Sequence, residues 1–182
     1  MASQSHQKGS RDFGKTIIER MVPGGNVFQI KPKALDIIWG GDPRYWKVPD
    51  SDEGSAELLQ VCWLEVSGWL ELSKLARDTT YKVNFKVSMK PDAFGWSGSP
   101  VYLMAKVGGN KFIWKSANIS GKQPGVEFSI PEDLKFTVKG ADVTGDAKLN
   151  FGLYEIWRGR WKGGLVIHEV EISPESGPAT AS

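Results

Sequence analysis

The feature that most constrains this chain is a strict alternation of apolar and polar side chains. From residue 81 to residue 90, the odd positions are Tyr, Val, Phe or Met and the even positions are Lys, Asn or Ser. Side chains of a β-strand point alternately to opposite faces, so this pattern predicts a strand with one buried and one solvated face. Shorter segments of strand character occupy residues 28–30, 35–39, 58–66, 69–72, 101–107, 112–115, 126–130, 149–157 and 165–172.

The alternation also indicates the fold class, because no long segment shows the helical period. Gly108 and Gly109 separate two of the predicted strands and indicate a hairpin, since glycine tolerates a positive φ. We therefore predict an all-β chain with about eight to ten antiparallel strands, arranged as a β-sandwich of jelly-roll type. A length of 182 residues suits one such domain.

Both ends of the chain are predicted to be flexible tails. Residues 1–26 are rich in Ser, Gln, Lys and Gly and lack sustained apolar periodicity, apart from one loose helical turn at residues 16–21. Residues 1–34 carry six Lys or Arg against two Asp or Glu, so this tail is mildly basic. The domain is expected to cover residues 27–174, and the small, polar residues 175–182 are expected to be disordered.

Catalytic and metal-binding patterns are missing from the sequence. The only histidines are His6 and His168, which are far apart, and the only cysteine is Cys62, which shares a strand phase with apolar residues and is expected to be buried. Glu155 is a candidate acid without an identifiable partner. We expect a protein that is not an enzyme, with no metal and no cofactor.

Charge and hydropathy restrict the possible partners and compartments. The formal net charge of +2 lacks the strong basic field of a dedicated nucleic-acid binder. No segment is apolar enough for a membrane helix, so we expect no membrane partner. The first residues lack the apolar core of a signal peptide, and a single cysteine forms no disulfide framework, so a cytosolic or nuclear location is expected.

Tryptophan is abundant, with 8 in the chain. Trp63 and Trp114 lie in apolar or alternating runs and are expected to pack in the core. Four tryptophans lie in polar, glycine-rich loops, where a flat indole could stack on the apolar face of a sugar ring: Trp39, Trp46, Trp96 and Trp161. Plugging of the sandwich ends is the open alternative for these four, and Trp69 and Trp157 fit either role.

Several ordered motifs resemble the plant phloem protein two lectins, also called Nictaba-like lectins. The first is Ile-Ile-Trp-Gly-Gly-Asp-Pro-Arg-Tyr-Trp-Lys at residues 37–47. The resemblance continues through residues 56–68, 80–87 and 94–96, and it ends with Glu-Ile at 155–156, Trp-Lys-Gly-Gly-Leu-Val-Ile at 161–167 and Val-Glu-Ile at 170–172. The chain departs from the pattern at His168, Glu169 and Ser173, which leaves the role of the carboxy-terminal edge open.

The resemblance implies a β-sandwich lectin of the plant cytoplasm and nucleus. Such lectins bind N-acetylglucosamine oligomers (chitooligosaccharides) and the core or high-mannose parts of N-glycans. Trp39 and Trp46 match the sugar-site tryptophans, and Asp42 and Tyr45 lie between them. Glu155 and the pair Trp161-Lys162 match the acidic and aromatic positions of the last motif.

The resemblance also leaves an alternative function open. Some family members move in phloem sap through sieve elements and associate with RNA or filament proteins, so the basic tail could contact RNA. A homodimer is expected, because two-fold assemblies are common and multivalency increases the avidity of lectins.

Overall fold

Two antiparallel β-sheets pack face to face in the computed structural model, which describes residues 5–175. The strands of the described range are β1 (Ile17–Val22), β2 (Gly25–Ile30), β3 (Asp36–Ile37), β4 (Trp46–Lys47), β5 (Ala56–Leu58), β6 (Leu64–Glu71), β7 (Thr79–Phe94), β8 (Val101–Val107), β9 (Ile113–Ala117), β10 (Phe128–Ile130), β11 (Lys135–Val138), β12 (Lys148–Glu155) and β13 (Gly163–Pro174). Three short 3-10 turns occupy Pro32–Ala34, Leu72–Lys74 and Gly140–Asp142. Within residues 5–175, no helix is long and apolar enough to span a membrane.

The strand order confirms the predicted antiparallel β-sandwich. One sheet of eight strands has the order β1-β2-β13-β5-β4, with β7 beside β13 and both β10 and β11 paired to β7. The other sheet has five strands in the order β3-β6-β12-β8-β9. The predicted hairpin at Gly108 and Gly109 is confirmed, since β8 and β9 pair antiparallel across it.

The core lies between the two sheets and follows the alternation seen in the sequence. In β7, Tyr81, Val83, Phe85 and Val87 are fully buried. Phe85 meets Phe151 of β12 edge to face, with ring centroids 6.3 Å apart, so the central strands of the two sheets are in direct contact. An edge-to-face pair of this kind is a favoured aromatic geometry.

Residues 5–26 are folded onto the domain, whereas the sequence predicts a flexible tail over residues 1–26; residues 1–4 of that tail lie outside the described range. Residues 17–22 form strand β1 rather than a helical turn, because they pair with β2 across the turn at residues 23–24. Upstream, Gln7 and Ile37 exchange two backbone hydrogen bonds of 2.8 and 2.9 Å. The side-chain amide of Gln7 also donates to the carbonyl oxygens of Pro32 and Leu35, at 3.0 and 2.9 Å.

Two further differences concern strand boundaries. The predicted strand over residues 58–66 is divided into β5 and β6, because residues 59–63 leave the eight-stranded sheet and lead into the five-stranded one. Strands β4 and β11 match no predicted segment, and the described range contains thirteen strands where about eight to ten were predicted. Cys62 lies in the dividing segment and is half-buried, not fully buried as expected. Of residues 175–182, which were predicted to be disordered, Glu175 is described and donates its amide to the carbonyl oxygen of Thr80 at 2.8 Å, and residues 176–182 lie outside the described range.

Candidate functional site

Three segments converge at one end of the sandwich and carry most of the predicted site residues. They are residues 39–46 between β3 and β4, residues 59–62 between β5 and β6, and residues 156–162 between β12 and β13. The amide of Leu59 donates to the carbonyl oxygen of Tyr45 at 2.8 Å, which joins the first two segments. Val61 and Lys162 exchange backbone hydrogen bonds of 3.0 Å, which join the second and third.

A row of four rings crosses this end, formed by the exposed His6, Trp39 and Trp161 and the half-buried Tyr45. We call it the aromatic row. His6 lies edge to face on Trp39 with centroids 5.1 Å apart, and Trp39 lies edge to face on Tyr45 at 5.6 Å. Tyr45 and Trp161 are nearly parallel, with an interplanar angle of 25° and centroids 6.4 Å apart. Trp161 is 51% exposed, so its indole face is open to a ligand.

Trp39 adopts a backbone conformation that few residues other than glycine use. Its φ is +67°, in the left-handed region. The Trp39 amide donates to Nδ1 of His6 at 2.9 Å, and the Trp39 carbonyl oxygen accepts the amide of Asp42 at 3.0 Å. These bonds hold an unfavourable conformation in place, and that conformation directs the indole into the aromatic row.

Asp42 orients a cation at the side of the row. Its carboxylate accepts hydrogen bonds from Nη2 of Arg44 at 2.7 Å and from Nε of Arg44 at 3.1 Å. These bonds hold the pKa of Asp42 below its ordinary value. The guanidinium of Arg44 lies 5.1 Å from the centroid of Tyr45, in cation–π range. Asp42 itself therefore contacts no ring of the row but fixes the guanidinium of Arg44 beside Tyr45.

Trp46 and Trp96 are placed beneath the surface, which corrects the prediction of two exposed stacking surfaces. They are only 2% and 3% exposed. Trp96 donates its indole N–H to the carbonyl oxygen of Gly163 at 2.9 Å and so supports the start of β13. Trp46 packs in the core and lines a cavity of about 360 Å³ together with Gly40 and Leu59. Neither indole face is free to contact a sugar.

Glu155 and Lys162 form a buried ion pair at the two ends of the loop 156–161. Both side chains have no exposed surface, and Nζ of Lys162 lies 3.5 Å from Oε1 of Glu155. Nζ also donates to the carbonyl oxygens of Cys62 at 2.6 Å and Arg160 at 3.0 Å. Oε2 of Glu155 accepts the amide of Trp157 at 3.3 Å. Burial lowers the pKa of Lys162 from its ordinary value. The pair therefore holds the backbone of the loop 156–161 in place, and because both side chains are buried, a ligand cannot contact them.

Comparison with known proteins identifies the family. The family model described as "Phloem protein 2" matches residues 25–174. This chain belongs to the Phloem protein 2 family. Protein PHLOEM PROTEIN 2-LIKE A9 of Arabidopsis thaliana is 43% identical over 153 residues, which cover 78% of this chain and 84% of that protein. A protein named "Lectin" from Luffa acutangula is 31% identical over 155 residues, covering 82% of this chain and 71% of that one.

Similarity to solved structures is weaker. This Phloem protein 2 chain resembles the C-terminal CBM6 of LamC from Zobellia galactanivorans with a TM-score of 0.43 and 14% identity, covering 81% of this chain and 99% of that one. The chain spans 62% of a further Arabidopsis thaliana relative, Protein PHLOEM PROTEIN 2-LIKE A1, to which it is 27% identical.

Two tryptophans predicted in the core of this Phloem protein 2 domain lie on its surface instead. Trp63 and Trp114 are each 45% exposed. Trp63 donates its indole N–H to Glu65 at 3.0 Å, and Trp114 projects from the outward face of β9. Adjacent residues of a strand point to opposite faces, so Leu64, which is fully buried, and Trp63 cannot both point into the core.

Two residues of the site, one in the aromatic row and one beside it, were not among the predicted site residues. His6 lies in a polar segment without periodicity, outside the family-matched range, and no local pattern connects it to Trp39. Arg44 is part of the first motif, and its spacing of two residues from Asp42 is a signal that could have revealed it. Among residues 5–175, no group of three His, Cys, Asp or Glu side chains is placed to hold a metal ion.

Proposed function

We propose that this chain is a lectin that binds N-acetylglucosamine oligomers and the core or high-mannose parts of N-glycans through the aromatic row. The nearly parallel pair of the exposed Trp161 and the half-buried Tyr45 carries the proposal. Such rings present flat apolar faces, on which the C–H face of a pyranose can pack. The guanidinium of Arg44, fixed by Asp42, supplies a hydrogen-bond donor for hydroxyl or acetamide oxygens.

The family and one relative support this proposal. The Luffa acutangula relative is named a lectin, and 31% identity over most of both chains makes a shared binding mode reasonable. The predicted residues then divide into two roles. Trp39, Tyr45 and Trp161 contact the sugar, whereas the buried Trp46, Trp96, Glu155 and Lys162 support the segments that carry these rings. This arrangement favours a binding protein over an enzyme, since its one buried acid is closed off from any ligand.

The test is calorimetric titration of the full chain with chitotriose and with mannotriose. Loss of one stacked ring should cost on the order of 1 kcal/mol, so Trp161→Ala should raise the Kd about fivefold. Phe13→Ala is the matched control, because Phe13 is also an exposed aromatic residue but lies outside the row. Equal affinities of wild type and Trp161→Ala would refute this site, and a wild type that binds neither sugar would refute the proposed ligands.

The RNA-binding alternative receives less support from the structure. Four of the six basic residues within residues 1–34 form ion pairs with acidic side chains. Arg11, for example, lies 3.5 Å from Glu71 and packs over the ring of Trp69. Cations that are paired and packed in this way contribute less to phosphate binding than a free basic tail would.

We further propose that the protein acts as a homodimer in the cytoplasm of phloem cells and in the nucleus. The names of the Arabidopsis thaliana relatives support a role in phloem. Multivalency of a dimer would raise the avidity of weak single sites. Sedimentation equilibrium tests the assembly, and a mass of one chain at all concentrations would refute the dimer. Imaging of a fluorescent fusion in sieve elements tests the location.

A further inference from the structure

A second set of aromatic rings lies on the outward face of the five-stranded sheet, apart from the aromatic row. Tyr102 of β8, Trp114 of β9 and Trp157 of the loop 156–161 meet there, and we call them the aromatic corner. Trp157 is 57% exposed. The three rings and Arg158 line a cavity of about 440 Å³, which is open to solvent. Core packing cannot explain rings that are exposed to this extent.

The rings of the aromatic corner form two nearly perpendicular surfaces. The plane of Trp157 is inclined at 79° to Tyr102 and at 74° to Trp114, with centroids 5.0 and 6.3 Å away. Tyr102 and Trp114 project from neighbouring strands of one sheet, whereas Trp157 comes from the loop above them. A flat ring can therefore rest its face on one surface and its edge against the other.

The aromatic corner is held in place before any ligand arrives. Trp114 packs edge to face on Tyr154 at 5.6 Å and stacks on Phe112 at 6.2 Å. The Trp157 amide is bonded to Glu155, whose side chain is fully buried. A preformed surface of this kind binds a ligand with little loss of side-chain entropy.

We propose that the aromatic corner is a second saccharide site that accepts one pyranose ring. The inference takes its ligand class from the proposed function and adds a second point of attachment on the same chain. The apolar C–H face of the sugar would pack on the rings. Arg158, which forms no ion pair among residues 5–175, would donate hydrogen bonds to the hydroxyl groups at the rim.

The charges and ring angles disfavour other occupants. A two-fold contact with a second copy would bring two Arg158 side chains, and two Lys106 side chains beside Phe112, towards each other, and like charges oppose such a contact. Single-stranded nucleic acid stacks successive bases on a series of aromatic faces along a basic groove. Here the ring of Trp157 is nearly perpendicular to both neighbours, so the corner accommodates a single ring.

The consequence is that one chain binds glycans at two places. One loop carries both Trp157, in the aromatic corner, and Trp161, in the aromatic row, yet the two rings contact different neighbours. A single chain could then cross-link two glycans without dimerisation. Avidity for a surface with many glycans would increase accordingly.

Calorimetric titration of the full chain with chitotriose and with mannotriose tests the inference through the number of sites per chain. The wild type should show two sites, and Trp157→Ala should raise the Kd of one of them about fivefold and leave the other unchanged. Trp114→Ala should weaken the same site, which guards against a local effect of the loop substitution. Trp161→Ala should weaken only the other site, the variant with both Trp157→Ala and Trp161→Ala should bind about fivefold more weakly at both sites, and Phe13→Ala should match the wild type. Circular dichroism confirms that each variant is folded.

Each failure has a distinct signature. One site per chain in the wild type, unaffected by Trp157→Ala and Trp114→Ala, would overturn the aromatic corner and leave the aromatic row intact. A single site that is weakened in Trp157→Ala but unchanged in Trp161→Ala would instead overturn the aromatic row. Binding of neither sugar would overturn both. Binding of oligouridylate without sugar, or a dimer in sedimentation that Trp157→Ala dissociates, would overturn the saccharide assignment of the corner.

Discussion

Replacing Lys162 with methionine should destabilise the domain strongly. Methionine retains most of the apolar stem of lysine but removes the ammonium group, which donates to two carbonyl oxygens and lies 3.5 Å from Oε1 of Glu155. The carboxylate of Glu155 would remain fully buried without its counter-charge. Removal of one partner of a buried ion pair costs about 3–5 kcal/mol, so Lys162→Met should lower the free energy of unfolding by about this amount.

The assay is urea unfolding at neutral pH, followed by tryptophan fluorescence. The double variant Lys162→Met with Glu155→Gln removes both charges, and the glutamine oxygen can still accept the Trp157 amide. It should recover more than half of the loss, because a neutral pair avoids the desolvation of a lone carboxylate. A loss below about 1 kcal/mol for the single variant, or no recovery in the double variant, would refute this account of the pair.

The comparison of the wild type with Lys162→Met can also be made as a function of pH, and three other substitutions test separate parts of the structure. Burial lowers the pKa of Lys162, so the folded state loses this proton at a lower pH than the unfolded state. The stability of the wild type relative to Lys162→Met should therefore rise as the pH approaches the ordinary lysine pKa. Urea midpoints of the two proteins that differ by the same amount at every pH would contradict this. Burial raises the pKa of Tyr154 to about 12, so above the ordinary tyrosine pKa the folded state keeps a proton that the unfolded state loses. The stability of the wild type relative to Tyr154→Phe should therefore fall as the pH increases through this range. A stability difference between the two proteins that does not change with pH would contradict this. Trp39→Gly should be about 1 kcal/mol more stable than Trp39→Ala in urea, because only glycine adopts a left-handed φ without cost, and the opposite order would count against backbone strain. Gln7→Ala should lose about 1–2 kcal/mol of unfolding free energy with its two side-chain hydrogen bonds, and an unchanged midpoint would mean that these two bonds contribute nothing to stability.

The period-two pattern predicted the fold class but did not assign every face correctly. Leu64, Val66 and Leu70 share one phase of β6 and are buried, whereas Trp69 shares the opposite phase with polar residues, and Trp63 stands one residue before the strand in that same opposite phase. The phase alone could have placed Trp63 outside the core. Its hydrophobicity suggested the opposite, since a tryptophan beside Leu64 and Val61 looks like part of a continuous apolar run.

The buried tryptophans of the site could not be distinguished from the exposed ones by sequence alone. Trp39 and Trp46 occur in the same motif, yet Trp39 is exposed by its left-handed φ and Trp46 is buried by its place in strand β4. Backbone conformation within a turn depends on contacts such as the bond from the Trp39 amide to His6. These contacts join residues that are far apart in the chain, so no local pattern contains them.

The burial of Glu155 and Lys162 changes the physical meaning of the last motif. A charged pair at a ligand surface would be exposed, whereas this pair is enclosed and bonded to the backbone at both ends of loop 156–161. The loop carries Trp157 towards one set of rings and Trp161 towards the other. Lys162→Met should therefore disturb both aromatic surfaces, although Lys162 itself touches neither ligand. A variant with weakened binding at one surface alone would show that the two rings are positioned independently.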